Sequence, residues 1–378
     1  MQTLLRTLLP LTFAGALFAQ FPGLTLPPSG NNQRASVIQY IGPVQVTIEY
    51  SSPAVHAGNG QDRRSQIWGK LVPYGMSDLG LNGGKLSPWR AGANENTVFA
   101  ISDPVTIEGQ ALAAGRYGLH MIPGQDEWTI IFSKNAHAWG SFFYDESDDA
   151  LRVKVNPTKH EYREYLTYEF SGRKPAETTA ALQWEELSVP WTIKVDDIKE
   201  IYTSRLRREL TAEVAFDYRA YDAAAQYLAN ANVHLEEALK WADKAISMPF
   251  IGQANFDTLS TKALVLSKMG RGQEAMTIMQ GAIKLPGTTA LQIHGYGRTL
   301  QQLKQNQAAL EVFKYNFERN GDAWPVHVGL MRGYAGIGDL PQALEHARKA
   351  VAQAPDAANK NNLENMVKLL SEGKNIPN

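Results

Sequence analysis

The sequence predicts a multi-domain β + α protein, an antiparallel β-sandwich or jelly-roll-like domain followed by an all-α array of helical repeats. Three observations predict it. Between residues 44 and 195 short apolar runs alternate with period two and are bounded by Gly, Pro, Asn or Asp. From Asp196 the apolar spacing lengthens to that of a helix, and inside this helical half small residues recur 34 positions apart.

The chain begins MQTLLRTLLPLTFAGALFAQ, with a cation at Arg6, an apolar stretch from Leu8 to Ala19 and small residues at its end. This is the layout of a secretory signal peptide over residues 1–19, cleaved after Ala16 or Ala19. A membrane anchor would need about 20 apolar residues and a charged stop-transfer segment after them. The mature chain is therefore expected to be exported, periplasmic or extracellular, without a membrane span. The 378 residues include 37 basic and 38 acidic side chains, a net charge of -1 that supplies no field to draw in nucleic acid. Absence of cysteine excludes disulfides and thiolate chemistry.

Residues 20–37, containing FPGLTLPPSGNNQR, show no periodicity and read as a flexible leader. A β domain is expected over 38–196. In VQVTIEY, Val44, Val46, Ile48 and Tyr50 fall on one face and Gln45, Thr47 and Glu49 on the other. The runs TVFAIS, PVTIEG, GRYGLHMI, WTIIFS, ALRVKV, YLTYEF, ALQWEE and PWTIKV follow at short spacing, about nine strands in all, with no long helical run between them. A connecting helix is expected over 197–214, where Ile198, Tyr202, Leu206, Leu210, Val214 and, beyond it, Tyr218 recur every four residues.

The strings EALKWADKAI, EAMTIMQGAI, AALEVFKYNF and QALEHARKAV each place a small residue at one position: Ala238, Ala275, Ala309 and Ala343. The last three are 34 apart. Ala263, Gly297 and Met331 keep the same step on the preceding helices, as do Leu266, Leu300 and Tyr334. A small residue opposite a large one on two helices joined by a tight turn allows close antiparallel packing. Residues 215–356 thus resemble the tetratricopeptide repeat family, with a capping helix and tail over 357–378. Met331 stands where the family has Gly or Ala, and Ala242 and Ala347 where it prefers an aromatic residue.

The β half carries YSSP (50–53), IWGKLVPYG (67–75), WRAGANENT (89–97), VTIEGQALAAGRYGLHMIPG (105–124), WTIIFS (128–133), WG followed by a tyrosine (139–144) and LRVKV (151–155). In these motifs and their order it resembles the bacterial family called domain of unknown function 2911. The resemblance implies a β-rich exported domain and assigns no catalytic residue. Between PYG and WR the chain has MSDLGLNGGKLSP, longer than the family's usual join.

The densest polar cluster is WRAGANEN. Arg90 can grip a carboxylate or phosphate as a fork, Asn94 can donate and accept, and Trp89 can stack on a sugar or aromatic ring. With Glu95, and with His120 on the strand GRYGLHMI, these form a candidate small-ligand site. The opposing reading is structural, an Arg90–Glu95 pair beneath a loop with Trp89 in the core. The eight histidines lack metal-ligand spacing, DESDD (145–149) lacks the glycine turn of a calcium loop, and Ser51, Ser52, His56 and Asp62 have no nucleophile-elbow glycines around them. Neither a metal nor another cofactor is expected.

In the repeats, Arg298 and Arg332 are 34 apart and should stand on one stripe with His294 and Gln301, a groove for an extended peptide whose carboxylates meet the arginines. The expectation is an exported binding protein, with the repeats engaging a protein partner or the chain's own β domain. The alternatives are an envelope- or carbohydrate-acting hydrolase using Glu95 or His120, and a purely structural envelope component.

Overall fold

The computed structural model describes residues 32–377. The expected export signal and most of the leader lie outside the described residues. The chain divides into two compact units between Ile198 and Lys199.

The first unit is built from β1 (Gln33–Ile41), β2 (Val44–Ser52), β3 (Ser77–Asp78), β4 (Leu86–Ser87), β5 (Thr97–Ile101), β6 (Val105–Ile107), β7 (Gln110–Leu112), β8 (Gly115–Ile122), β9 (Trp128–Ser133), β10 (Asp149–Val155), β11 (Thr158–Lys174) and β12 (Glu177–Lys194). Six strands form one sheet in the order β1-β2-β5-β8-β9-β10, four form a second in the order β11-β12-β6-β7, and β3-β4 is a separate hairpin. All pairings are antiparallel. The inner face of the large sheet carries Ile48 opposite Phe99 and Leu119 opposite Phe132, all fully buried. The small sheet answers with Tyr168, Leu182 and Trp191, and the rings of Tyr50 and Tyr168 meet across the sheets at 4.8 Å. Two inner faces interlocking in this way are a β-sandwich.

Two details correct the sequence reading. Residues 33–37, read as leader, belong to β1, whose alternation is muted because an edge strand leaves most of its side chains in water. The runs ALQWEE and PWTIKV are parts of the single 18-residue strand β12.

The second unit is helical: α1 (Ile198–Glu209), α2 (Tyr218–Ala231), α3 (Leu235–Ser247), α4 (Phe256–Lys268), α5 (Gly272–Ala282), α6 (Ala290–Gln302), α7 (Asn306–Asn320), α8 (Trp324–Ile337), α9 (Leu340–Ala352) and α10 (Ala357–Ser371). The apolar stripe expected to run on to Tyr218 crosses a break. After α1 the chain makes a 3-10 turn at Glu213–Phe216, Val214 is half exposed, and the Asp217 side chain caps the start of α2 by accepting from the Arg219 amide. Four antiparallel pairs follow, α2 with α3 through α8 with α9, and α10 covers the last. Asn255 and Thr289 start α4 and α6 as capping boxes with Thr258 and Gln292.

The small residues act as the repeat requires. Ala238, Ala309 and Ala343 have no exposed surface, and a Cβ on Gly297 would lie 2.3 Å from the Phe313 ring. Met331 is fully buried within the cluster formed by α8, α9 and α10. Among the described residues no helix is long and apolar enough to cross a membrane.

Candidate functional site

The segment 89–97 enters β5 through a strained turn. Ala91 and Asn94 both adopt left-handed backbone, φ 51° and 55°, which costs an alanine about 1 kcal/mol and an asparagine less. The turn is held from several sides. The Ala91 carbonyl accepts from the hydroxyls of Tyr168 (2.7 Å) and Thr97 (3.1 Å), and the Ala93 amide donates to the Ser51 carbonyl. Trp89 pairs with Met121 through two backbone hydrogen bonds of 2.8 Å, so the segment adds a short rung beside β8.

Trp89 joins Trp68, Trp128 and Trp184 in one aromatic cluster, with Trp68 edge-on to the other three at 5.4–6.0 Å and Trp89 parallel to Trp184 at 6.4 Å. Beside it opens a recess of about 460 Å³, lined among others by Trp89, Arg90, Trp184, Ser77, Asp78 and Ser87. The long loop noticed in the sequence supplies the last three of these, because it folds into the β3-β4 hairpin.

Arg90 is half buried. Its Nη1 donates to the Asn94 carbonyl at 2.6 Å, and its guanidinium sits 4.8 Å from the centre of the Phe142 ring. Among the described residues no carboxylate pairs with it, and burial alone lowers its pKa. The Arg90–Glu95 pair that the structural reading invoked is not formed: Glu95 accepts from Ser51 Oγ at 3.2 Å. Asn94 Oδ1 accepts from Asn32 at 3.3 Å.

His120 lies on the outer face of β8, yet it is 2% exposed because residues 134–148 fold over that face. Its Nδ1 is 2.8 Å from Ser141 Oγ and its ring stands edge-on to Tyr144 at 5.5 Å. Burial pushes its pKa down to about 4, with Arg90 acting in the same direction. The covering loop comes so close that a Cβ on Gly118 would meet the Asn135 carbonyl at 2.6 Å. Tyr144 is anchored in turn, donating to Asp149 at 2.7 Å and accepting from Arg152 at 2.6 Å.

The five candidates therefore separate. Trp89 and Arg90 line the recess, Asn94 and Glu95 serve the turn, and His120 is sealed beneath the covering loop. Sequence reasoning missed Trp68 as a neighbour of Trp89, Trp184, Ser77 and Asp78 as residues lining the recess with Arg90, and Ser141 as the partner of His120. The WG and tyrosine of 139–144 were the one visible signal for the covering loop. Of the other loop residues considered, His56 Nδ1 is 2.9 Å from Glu164, while Ser52 Oγ donates to the Leu166 carbonyl and Ser51 Oγ to Glu95, so the hydroxyls of these two serines are bonded elsewhere. Among the described residues no three His, Cys, Asp or Glu side chains group to hold a metal ion.

In the repeat unit α2 stands beside α4 and α6 beside α8. Gln301, nearly buried, lies 3.4 Å from Arg298 Nη1 through its Oε1, and its Nε2 donates to the Arg332 carbonyl at 2.8 Å. His294 packs on Phe313 at 5.6 Å, and its Nδ1 is buried without a partner. Burial pushes the His294 pKa down to about 4, helped by Arg332 and Arg298; burial and then Arg298 lower that of Arg332 to about 10. Neither arginine has a carboxylate within ion-pair distance among the described residues. The four groove residues thus form one cluster on α6 and α8.

This is a β-sandwich joined to a tetratricopeptide-type repeat array. Residues 32–193 match the family model described as "Protein of unknown function (DUF2911)", which covers the β unit. The helical region is similar to solved structures of repeat proteins. One is MamA 41-end from Desulfovibrio magneticus RS-1, at 21% identity, covering 41% of this chain and 90% of that chain with a TM-score of 0.29. Another is YrrB, described as a TPR protein with an unusual peptide-binding site, at 20% identity, covering 44% and 83% with a TM-score of 0.31. No curated protein matches the chain.

Proposed function

We propose that the chain is an exported binding protein whose repeats hold an extended acidic segment of a protein partner along α6 and α8. A stack of helical hairpins presents a continuous surface and is suited to a partner that lies along it. The observation that carries the reading is the pair Arg298 and Arg332, brought together with His294 and left without a carboxylate. Two half-buried guanidinium groups standing together repel each other, an anion between them relieves that repulsion, and a forked hydrogen bond to a carboxylate adds direction.

In the β unit the recess beside Trp89 and Arg90 takes a small polar ligand, with an anionic group on the unused guanidinium N–H donors and a ring or sugar face on the indole. Asp78 is the one carboxylate among its lining residues, and Glu95 and His120 are not among them. A hydrolase working through two facing carboxylates would need a different lining, so binding is the favoured role. Export rests on the first 19 residues, and the N-terminal sequence of protein recovered from the bacterial periplasm or medium tests it.

The groove reading is tested by titrating the full chain with hexaglutamate and hexalysine peptides at two salt concentrations. Hexaglutamate should bind, more weakly at high salt, and the Arg298→Ala/Arg332→Ala double variant should lose at least ten-fold in affinity. Equal affinity of the variant, or equal binding of hexalysine, overturns the reading.

A further inference from the structure

After α10 the chain does not run off the array but turns back onto α8. Asn375 Nδ2 donates to the Ala335 carbonyl at 3.0 Å, and Arg332 Nη1 donates to the Pro377 carbonyl at 3.2 Å. Between them Ile376 packs against the buried cluster that contains Met331, Ala335, Leu363 and Met366. Arg332 and Ala335 are three residues apart on α8, so both contacts fall on one helix face. The returning segment therefore engages an arginine of the groove itself.

The attachment is slight. Asn375 and Pro377 remain exposed, and Ile376 is the one partly buried side chain of the three. A tether compensates for such weakness, since a short flexible link holds a segment at an effective concentration on the order of millimolar. Ligand-like contacts that are weak but always present make a competitor that a better ligand can displace.

We propose that Asn375–Pro377 is a built-in occupant of the α8 end of the groove, displaced when a partner segment binds. The proposal rests on the reading of Arg298 and Arg332 as a peptide groove. It also describes the partner. The displacing segment places a side-chain donor at the Ala335 carbonyl, an aliphatic residue where Ile376 packs, and a backbone or carboxylate oxygen on Arg332. An acidic residue in the last position gains over Pro377, because it replaces a carbonyl by a charged acceptor.

The test compares the full chain with a chain ending at Lys374, which keeps the hydrogen bond from the Lys374 amide to the Leu369 carbonyl at the end of α10. Two fluorescent probes are used, hexaglutamate and a peptide with the sequence of residues 373–378, GKNIPN. The shortened chain should bind both at least ten-fold more tightly than the full chain, and Arg332→Ala in the shortened chain should abolish the gain for both. Hexaglutamate bound equally by the two chains overturns the occupant while leaving the groove in place. Hexaglutamate bound by neither overturns the groove reading and the occupant with it. A second variant, Asn375→Ala/Ile376→Ser in the full chain, removes the contacts without shortening the protein and should reproduce the gain; tight binding by the shortened chain alone counts against the proposal.

Discussion

His327 and His346 meet Nδ1 to Nδ1 at 2.9 Å across the α8–α9 hairpin, their rings nearly parallel with centroids 5.2 Å apart. His327 is buried, and its Nε2 makes a very short contact with the Asp322 carboxylate, which also accepts from Gln353. His346 stacks on Tyr334 at 5.6 Å. Of two facing nitrogens one must donate and the other accept. Since Asp322 takes the hydrogen of His327 Nε2, His327 Nδ1 is the acceptor and His346 Nδ1 the donor.

This arrangement predicts tautomers and a pH response. At neutral pH, nitrogen NMR should find His327 protonated at Nε2 and His346 at Nδ1; the opposite pattern would contradict the geometry. Burial, His327 and Lys349 lower the pKa of His346, while Glu345 opposes them. A histidine with a depressed folded pKa binds fewer protons folded than unfolded, so its contribution is complete above pH 6.5 and is lost as pH falls below that value. The unfolding midpoint of the repeats should drop in this window, to which the buried His294 also contributes, so His346→Gln should lessen the dependence and His294→Gln added to it should lessen it further.

The β unit should show its own response through His120. Its pKa falls from 6.5 to about 4 on folding, so acidification between those values should remove about 3 kcal/mol, at 1.36 kcal/mol per pH unit. Denaturant titrations across this range should show the loss. His120→Asn, which keeps a polar atom near Ser141 and does not titrate, should be less stable at neutral pH but nearly insensitive to acid. A variant that retains the full acid slope would place its origin elsewhere.

Gly140 resists replacement on two counts. Its φ is 62°, and a Cβ there would lie 2.4 Å from the guanidinium carbon of Arg90. Gly140→Ala should destabilise the β unit by about 1–3 kcal/mol, combining backbone strain with displacement of Arg90. Adding Arg90→Ala should recover the steric part, as measured by denaturation of the single and double variants.

The repeats offer a parallel case in which the clash is with a ring. Gly297→Ala should cost about 1–3 kcal/mol through overpacking against Phe313. In a Phe313→Leu background the same change should cost less than half as much, since the two residues share one space. Equal costs in both backgrounds would show that α6 and α7 do not rely on this contact.

The sequence by itself determined what depends on local period. Alternation placed Val46, Ile48 and Tyr50 on the buried face of β2, and the 34-residue step placed Ala309, Ala343 and Gly297 at helix contacts. It also put Arg298 and Arg332 in register, because a strict repeat carries one geometry from unit to unit. It could not show that β1 begins at Gln33, since an edge strand has no second neighbour to impose burial, nor that the helical stripe breaks before Asp217.

Tertiary structure decided everything that depends on which surface covers which. Trp89, taken as a neighbour of Asn94 and Glu95, instead joins Trp68, Trp128 and Trp184 from three other segments. His120, on a strand face that alternation alone would leave in water, is sealed because residues 134–148 fold across it through Ser141 and Tyr144. The tail reaches Arg332 only because α10 reverses the chain onto α8. Period is a property of neighbours along the chain; burial, proton affinity and the company a guanidinium keeps are properties of segments far apart in sequence that packing brings within a few ångströms.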